Sequence, residues 1–392
     1  MHGIGVNCIA PAAPRVLQIG MLWGQDGTAG GLDRIYTDLV RMLPSAGIDV
    51  TGAVWGPDDV LRRSSGRVHS FAPQEASQLR RYLGVRRIVR RLVRQEKVDL
   101  IASHFPLYAG LVLDELRGRP LVMHFHGPWY AEGAEEGGGR FGVRCKRWIE
   151  QQVYSRADRV IVLSRAFGEL VTRDYGIASD RIRVVPGHVD LARFSVTCSR
   201  DAARARLNWP ADRRIFVSVR RLTRRMGLEQ LIGAMTQVAA AVPEVLLYIA
   251  GRGPMEAPLR QRVADAGLDR HVRFLGFVPD DDLPWVYRAA DLNVVPSSRL
   301  EGFGLVVVEA LASGTPSMVT PVGGLPEVTA PLSADMIFGG TSEADIATGL
   351  IAALRGRIRL PSAADCREYA AAHYGVPVAV TRIAGIYREL VG

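Results

Sequence analysis

The 392-residue chain has few cysteines and no long apolar run, and both shortages limit what it can be. Its four cysteines lie far apart, without Cys-x-x-Cys or Cys-His spacing, so we expect neither a disulfide framework nor a zinc site. No apolar run approaches the ~20 residues that a membrane-spanning helix needs. Residues 1–14 lack the basic start and apolar stretch of a secretory signal. We therefore expect a disordered lead-in and a cytoplasmic protein.

Several motifs are also missing. The glycines at 24, 27, 30 and 31 follow the first predicted strand, but they do not have the Gly-x-Gly-x-x-Gly spacing of nicotinamide-binding proteins. This disfavours a dehydrogenase. We find no Asp-x-Asp motif of the kind that metal-dependent transferases use, which argues against a metal cofactor. The chain also lacks a helix-turn-helix pattern and the interleaved aromatic and basic residues of single-strand binders, so we expect no nucleic-acid partner.

The composition is that of a globular chain with more than one core. Hydrophobic residues make up 48% of the chain and charged residues 23%, and its length predicts two domains. Strand-like apolar segments alternate with helical ones in both halves, which predicts an α/β fold with two doubly wound parallel sheets. The predicted strands are residues 15–20, 49–55, 98–103, 120–125, 159–163 and 183–185, then 214–219, 245–250, 272–275, 292–295 and 316–319. We assign residues 15–188 and 189–370 to the two domains and 371–392 to a C-terminal helix that returns to the first domain.

The positive charge is concentrated in one segment, from Gln78 to Lys97. The net charge is +9, and this segment alone carries seven arginines and one lysine around apolar residues at helical spacing. It predicts a basic amphipathic helix. Such a helix can lie on an anionic membrane surface, or it can pack on a sheet with its arginines in water.

The most informative segment is Glu-Gly-Phe-Gly-Leu-Val-Val-Val-Glu-Ala-Leu-Ala-Ser-Gly, from Glu301 to Gly314. Two carboxylates, Glu301 and Glu309, flank a Gly-Phe-Gly turn that opens an apolar helix. Gly302 and Gly304 let the backbone approach a ligand, and the helix N-terminus offers N–H groups to a diphosphate. The spacing alone is equally compatible with an ordinary buried helix that carries two solvated glutamates.

The wording of this segment resembles the donor-site signature of family 4 glycosyltransferases, which are retaining enzymes of the GT-B fold. The resemblance covers roughly residues 16–390, with the motifs in the expected order. It implies two Rossmann-like domains that face each other across a cleft, with a nucleotide-sugar donor on the second domain and no metal. It also implies that Glu301 orients the donor sugar, that Glu309 holds the ribose, and that the leaving diphosphate helps to deprotonate the acceptor.

A second match is His126-Gly127, at the end of a predicted strand, where ligands bind in open α/β sheets. The resemblance implies that His126 contacts the donor sugar, while His124 has no assigned role. Two histidines at i and i+2 point the same way on a strand and also suit a metal or a structural hydrogen-bond pair. The metal is the weaker alternative, because no carboxylate or cysteine lies nearby in the sequence. The acidic, Gly-rich residues 131–139 that follow predict a mobile loop beside the acceptor site.

A third match is the arginine-rich turn Val219-Arg-Arg-Leu-Thr-Arg-Arg-Met-Gly227. Arginines after a strand suit a phosphate, although a solvated basic turn is the alternative. The turn resembles the family segment Gly-Arg-Leu-x-x-x-Lys-Gly, whose arginine and lysine hold the diphosphate. Arg221 matches that arginine, but Met226 stands where the lysine is usual. We expect Arg225 or Arg224 to replace it.

The resemblance as a whole implies the complete set of expected site residues. The catalytic residues would be His126, Arg221 and Glu301, and the donor-binding residues Gly30, Gly31, Arg225, Gly251, Gly253, Phe277, Phe303, Gly304, Leu305 and Glu309. The implied activity is transfer of a hexose from a donor of the UDP-glucose or GDP-mannose type to an acceptor hydroxyl. A lipid-linked saccharide in surface polysaccharide or glycolipid assembly is the leading acceptor, with the enzyme peripheral on the inner face of the cell membrane.

Three alternatives remain open at this point. The acceptor could be a soluble sugar or a small metabolite. The chain could bind a nucleotide sugar without transferring it, or use it as an epimerase. Finally, the segment from Gln78 to Lys97 could make membrane binding the main function.

Overall fold

The computed structural model describes residues 13–23, 30–135 and 137–392. Most of the predicted lead-in therefore lies outside the described residues, as do Gly24 and Gly27 of the N-terminal loop.

The first half of the described chain contains a sheet of seven parallel strands. The strands are β1 (Arg15–Ile19), β2 (Asp49–Trp55), β3 (Val68–Ala72), β4 (Leu100–Ser103), β5 (Leu121–Phe125), β6 (Arg159–Val162) and β7 (Ile182–Val184). Their order across the sheet is β3-β2-β1-β4-β5-β6-β7, so the winding reverses between β1 and β4. In the register, Leu17 lies opposite Thr51 on one side and Ile101 on the other.

The second half of the described chain contains a sheet of five parallel strands in the order β10-β9-β8-β11-β12. These are β8 (Arg214–Val219), β9 (Val245–Ala250), β10 (Val272–Gly276), β11 (Leu292–Val295) and β12 (Ser317–Val319). Here the winding reverses between β8 and β11. Such a reversal leaves a crevice at the carboxyl ends of the strands, which is where open α/β sheets bind ligands.

Helices cover both faces of each sheet. In the first half they are α1 (Gly31–Met42), α2 (Val60–Arg63), α3 (Gln78–Gln95), α4 (Pro106–Gly110), α5 (Trp129–Glu135), α6 (Arg140–Arg156) and α7 (Arg165–Tyr175). They continue as α8 (Leu191–Phe194), α9 (Arg200–Leu207), α10 (Leu228–Ala241), α11 (Glu256–Asp265), α12 (Leu283–Ala289), α13 (Leu305–Ala312), α14 (Leu325–Thr329), α15 (Glu343–Leu354), α16 (Ala363–Tyr374) and α17 (Val376–Val391). Because both faces are covered, the central strands are mostly apolar, and every residue of β9 is buried. Within the described residues, no helix combines the length and apolar character that crossing a bilayer requires.

The predicted α/β class with two parallel sheets is confirmed, and three local predictions are wrong. Strand β3 was not predicted, because it is an edge strand whose middle residues are polar and only half-buried. Residues 131–139 are not one loop, since α5 extends to Glu135. The last segment forms two helices rather than one, because Pro377 cannot continue α16 but fits the first turn of α17.

The basic helix α3 packs on the first sheet. Its apolar residues Val85, Val89 and Leu92 lie in the core, while Arg86 and Arg90 form ion pairs on the far side with acidic residues at 114 and 115. The sequence left open whether this helix packs on a sheet or lies on a membrane surface, and the contacts show that it packs on the sheet. The membrane role stays a prediction.

The end of the chain lies against the first half. Ile383 and Tyr387 of α17 share a core with Val16 and Leu39, on the side of the first sheet that α1 covers. The Tyr387 hydroxyl of α17 also lies 2.8 Å from Nε2 of His124 in β5.

Candidate functional site

A cavity of about 630 Å³ lies between the two halves, at the carboxyl ends of β8 and β9 and the start of α13. From the first half it is lined by Gly31 and Arg34. From the second half it is lined by Val219, Arg220, Arg221, Met226, Ala250, Gly251, Arg252, Phe277, Val278, Asp280, Leu283, Leu305, Val306 and Glu309. This is the crevice that the reversed strand order of the second sheet predicts, and it combines arginines, carboxylates and apolar groups.

The first-half wall is the start of α1. The Asp33 carboxylate accepts hydrogen bonds from Leu22 N at 3.0 Å and Gly30 N at 3.1 Å, which closes the turn before the helix. Burial raises the pKa of Asp33, and these two hydrogen bonds offset only part of that rise. A Cβ atom on Gly31 would lie 3.0 Å from the Leu305 side chain, so glycine allows α1 to approach α13 closely. Gly30 forms the N-terminal turn of α1 and is not on the cavity wall.

Arg34 links the halves across the cavity. Its Nη1 donates to Glu309 Oε1 at 3.0 Å, and its Nη2 donates to Asp280 Oδ1 at 2.5 Å. The other oxygen of Glu309 accepts from the Tyr287 hydroxyl at 2.9 Å. The Glu309 side chain is only 8% exposed, and a buried carboxylate needs a partner of opposite charge. Arg34, from the opposite half, supplies that charge.

The turn before α13 positions this carboxylate. Gly304 has φ +82°, a conformation that favours glycine, and it begins the helix that places Leu305 and Glu309 on the cavity wall. Phe303 does not contact the cavity. Its ring is buried against Tyr374 and Gly187, and the expected role of Phe303 in donor binding stays a prediction.

Glu301 is held behind the cavity wall by Arg220. Arg220 Nη2 contacts Glu301 Oε2 and Ser297 Oγ, and it lies 2.9 Å from Met226 Sδ. Burial would raise the pKa of Glu301, but the Arg220 guanidinium and the Ser297 hydroxyl outweigh it and lower the pKa. Glu301 is therefore a carboxylate at neutral pH, and Arg220, not Arg221, is its ion-pair partner.

The other predicted phosphate-binding residues differ in position. Arg221 is exposed and lines the cavity. Arg225 does not line it, because its guanidinium pairs with Glu132 at 3.2 Å and donates to Leu300 O at 3.0 Å. Arg225 and the exposed Arg224 were the two expected replacements for the family lysine at position 226. Neither of them lies on the cavity wall.

Two predicted glycines serve the packing of the strand ends. A Cβ atom on Gly251 would lie 1.9 Å from Arg220 O, and one on Gly253 would lie 2.3 Å from Leu222 O. Both would collide with backbone, which explains why glycine is needed. Gly251 lines the cavity, whereas Gly253 lies outside it.

His126 belongs to a stack of three histidines rather than a pair. His104 stacks on His124 with ring centroids 4.1 Å apart and on His126 at 5.3 Å. His104 Nδ1 lies 3.1 Å from His126 Nε2, and His124 Nε2 lies 2.8 Å from the Tyr387 hydroxyl of α17. Burial, with a further contribution from His188, lowers the pKa of His126 to about 3. It is therefore neutral at physiological pH and can act as a hydrogen-bonding group but not as a cation.

The rim of the cavity carries an exposed aromatic ring. Phe277 is 42% exposed, and the Arg252 guanidinium lies 5.6 Å from its ring centroid. A large ring held in water beside a polar cavity can stack on a flat ligand such as a nucleobase.

One run with Asp-x-Asp spacing, Asp280 to Asp282, corrects the expectation that the chain has none. Asp280 pairs with Arg34 and also with Arg193 of α8, which pairs with the exposed Asp281 as well, while Asp282 pairs with an arginine of α9. Across the described residues, no group of three metal-ligating side chains converges. The acidic run therefore forms ion pairs around the cavity.

The cavity brings together six of the predicted site residues. They are Gly31, Arg221, Gly251, Phe277, Leu305 and Glu309, and Arg34 lies with them on the cavity wall. Sequence reasoning missed Arg220, Asp280 and His104. The position of His104 directly after β4, like that of His126 after β5, was a usable signal. For Arg220 there was none, because two successive arginines follow the same strand.

Comparison with known families and proteins identifies the chain. Residues 29–193 match the family described as glycosyltransferase family 4, and residues 199–373 match the family of group 1 glycosyl transferases. The chain is 31% identical over 307 residues to a D-inositol 3-phosphate glycosyltransferase of Corynebacterium efficiens, covering 74% of this chain and 71% of that protein. It is 33% identical over 248 residues to a mannosylfructose-phosphate synthase of Agrobacterium fabrum, covering 58% of this chain and 54% of that protein. The matched region therefore spans only about half of the synthase.

A solved structure supports the fold. The chain superimposes on Anabaena HepE, in complex with UDP and glucose, with a TM-score of 0.77 and 21% identity over 96% of this chain and 100% of that chain. Two parallel sheets with a cavity between them, matched by both family regions in order, agree with the sequence resemblance. The chain belongs to glycosyltransferase family 4 and has the GT-B fold.

Proposed function

We propose that this protein is a retaining, metal-independent hexosyltransferase that uses a nucleoside-diphosphate sugar. The observation that carries the proposal is the cavity between the two halves, which is lined by exposed Arg221, by the start of α13 and by the Glu309 carboxylate of the same helix. A cationic wall next to helix N–H groups suits a diphosphate, and a buried carboxylate suits a ribose diol.

The residues suggest a specific orientation of the donor. Phe277 at the rim would stack on the base, and Glu309 would accept hydrogen bonds from the ribose in place of one from Arg34. The diphosphate would then lie at Arg221 and the N-terminus of α13. The sugar would extend toward Glu301 and His126, which supply a carboxylate and a neutral imidazole for its hydroxyl groups.

The chemistry that fits this set needs no protein nucleophile. The acceptor oxygen would attack the anomeric carbon on the face from which the diphosphate leaves, and the acceptor proton would pass to a diphosphate oxygen. The bond between the anomeric carbon and the diphosphate oxygen breaks as the new glycosidic bond forms. Fixed arginines would stabilise the charge that develops on the diphosphate, a role that other transferases give to a metal ion.

The relatives favour a small, soluble acceptor. The two named above are, by their names, an inositol-phosphate glycosyltransferase and a synthase of a sugar phosphate, and HepE was solved with UDP and glucose. We therefore propose a UDP-hexose donor and a phosphorylated polyol or sugar as acceptor. This changes the leading expectation from the sequence, which was a lipid-linked saccharide.

A lipid-linked acceptor remains the second candidate because of one surface. On α6, Phe141 and Trp148 are 87% and 64% exposed, with Arg144 between them. Aromatic rings interleaved with cations are typical of surfaces that touch a membrane interface. Flotation with vesicles of neutral or anionic lipid tests this candidate: retention on anionic vesicles, lost in a Phe141→Ser/Trp148→Ser variant, would favour it.

Donor binding is the first property to test. A thermal-shift panel of UDP, GDP, ADP and their hexose conjugates, with EDTA present, measures binding to the folded state. At a ligand concentration 100-fold above Kd, one site raises the apparent stability by about 2.7 kcal/mol. We expect a shift with the uridine ligands. If no nucleotide shifts the melting temperature, the donor-site proposal is wrong.

The activity needs a separate measurement. The wild-type protein is incubated with the selected donor and a set of sugar phosphates, inositol phosphate and polyprenyl-linked sugars, and products are detected by mass spectrometry. Proton NMR of the new anomeric centre then establishes whether the configuration is retained. Donor binding without any transfer would favour the non-transferring alternative.

A further inference from the structure

Two successive arginines follow β8, and they have opposite environments. Arg221 is exposed, whereas the Arg220 side chain is only 4% exposed although it forms part of the cavity wall. Burying a guanidinium costs free energy unless the group is paired and hydrogen-bonded, because an ion loses its hydration on burial. We therefore ask which groups Arg220 contacts and which of its N–H donors remain without a partner.

The contacts of Arg220 leave hydrogen-bonding capacity unused. The three contacts described above, to Glu301, Ser297 and Met226, are all made by Nη2. Among the described residues, Nε is buried and has no hydrogen-bond partner. A guanidinium offers five N–H donors, so the group can serve Glu301 and still bind another acceptor.

The local charges favour an anion as that acceptor. Arg34, on the opposite wall, is shared between two carboxylates, Asp280 and Glu309, so its charge is already compensated. Arg220 is paired with one carboxylate, that of Glu301, and the next residue in the chain, Arg221, also lines the cavity. The end of β8 therefore places two arginines on the cavity wall.

The contact with Met226 connects this group to the departure in the sequence. The family segment has glycine at the position of Arg220 and lysine at the position of Met226. Relative to that segment, this chain has a cation in place of the glycine and an apolar residue in place of the lysine. In the structure, the end of the Arg220 side chain touches the end of the Met226 side chain, at 2.9 Å. The Arg220 guanidinium therefore lies against the side chain at position 226, which is the lysine position of the family segment.

The turn that carries Met226 is rigidly placed. Gly227 has φ +70°, and a Cβ atom there would lie 1.7 Å from Pro296 O, so the turn packs directly on the segment that contains Ser297. The backbone of Arg220 is also fixed, because its N–H donates to Ala250 O at 2.8 Å. The proximity of these two side chains thus follows from the fold of the strand ends.

We propose that Arg220 contacts the donor diphosphate in place of the missing lysine, and that the same guanidinium holds Glu301 in position for the sugar. This inference rests on the proposed donor site. It names a binding residue that the sequence motif does not predict, and it explains why neither Arg224 nor Arg225 is needed for the role.

The test compares four variants of the full chain with the wild type: Arg220→Gln, Arg220→Gly, Met226→Lys, and the double variant Arg220→Gly/Met226→Lys. Calorimetry measures Kd for the nucleoside diphosphate that the thermal-shift panel selects, and for the matching nucleoside. Because hydrogen bonds to charged groups are strong, we expect Arg220→Gln to weaken diphosphate binding by about 10- to 100-fold. Binding of the nucleoside should change by less than about threefold, since it has no phosphate.

The double variant tests the exchange itself. Arg220→Gly alone should bind the diphosphate as weakly as Arg220→Gln, and adding Met226→Lys should restore Kd to within about fivefold of the wild type. Met226→Lys alone should not improve binding, because the lysine would contact the Arg220 guanidinium. A structural role alone predicts the opposite: Kd unchanged in Arg220→Gln, and no restoration in the double variant.

A matched control separates binding from loss of stability. Arg204 is also a buried arginine, with a side chain 6% exposed and paired to Asp291, but it lies outside the cavity. Arg204→Gln should lower the melting temperature without changing Kd. If the wild type binds a nucleotide and Arg220→Gln binds it equally well, the inference fails while the donor site stands. If the wild type binds none of the nucleotides, both are wrong.

Discussion

Acidification below pH 6.5 should destabilise this protein through the stack of His104, His124 and His126. The three rings lie face to face between the first sheet and α17, where His124 and Tyr387 are hydrogen-bonded. Burial, together with the neighbouring imidazoles, lowers the pKa of His104 and His124 well below 6.5, and burial lowers that of His126 to about 3. A proton can therefore enter the unfolded chain at a pH at which the folded stack excludes it.

The size of the effect follows from linkage. A histidine whose folded pKa is depressed contributes stability above the unfolded value of about 6.5, and this stability is lost as pH falls toward the folded pKa. Each such group costs about 1.4 kcal/mol per pH unit in this range. At pH 5 the loss is about 2 kcal/mol for His126, and His104 and His124 add to it in the same direction. A loss of this size is measurable against the 5–15 kcal/mol that usually separates folded from unfolded states.

Urea unfolding at several pH values between 8 and 5 measures this loss. We compare the wild type with His126→Gln, which removes one member of the stack, and with His373→Gln, which removes an exposed histidine of α16. The slope of unfolding free energy against pH should fall by about 1.4 kcal/mol per unit in His126→Gln and should not change in His373→Gln. A wild-type curve that is flat between pH 6.5 and 5, or equal slopes in all three proteins, would refute the reasoning.

Three further predictions follow from single side chains. Burial raises the pKa of Glu150 to about 7, although its carboxylate accepts hydrogen bonds from the first N–H groups of α5. The free energy of unfolding should therefore fall by about 3 kcal/mol as pH rises from 4.5 through 7. In Glu150→Gln, the plot of unfolding free energy against pH should be flatter over that range. Glu309→Gln should weaken nucleotide binding by about 10-fold or more in calorimetry, because a neutral amide oxygen accepts hydrogen bonds from the ribose hydroxyl groups less strongly than a carboxylate does; an unchanged Kd contradicts the proposed ribose role. Gly302→Ala should lower stability by about 1–3 kcal/mol in urea unfolding, since a Cβ atom would lie 2.3 Å from the Phe167 ring, whereas Gly385→Ala meets no atom and should raise it.

The sequence by itself determined the architecture and the order of the motifs. Strands β2, β8, β9 and β11 have the predicted bounds, because parallel strands covered on both faces are mostly apolar and such segments are visible in the sequence. The segment around Gly304 was also readable, since a left-handed turn before a helix requires glycine wherever it occurs. These features depend on local sequence patterns, which can be recognised without knowing what the segment packs against in the folded protein.

The tertiary structure alone decided which side chains share the cavity. Whether Arg220 or Arg221 turns inward depends on how the end of β8 packs against β9 and Ser297, and the sequence shows only that both are arginines. In the same way, the packing of the Phe303 ring against Tyr374 and Gly187 joins segments that are distant in the sequence. The contact between the Arg220 and Met226 side chains also depends on the tertiary structure, because it is set by how the strand end and the following turn fold.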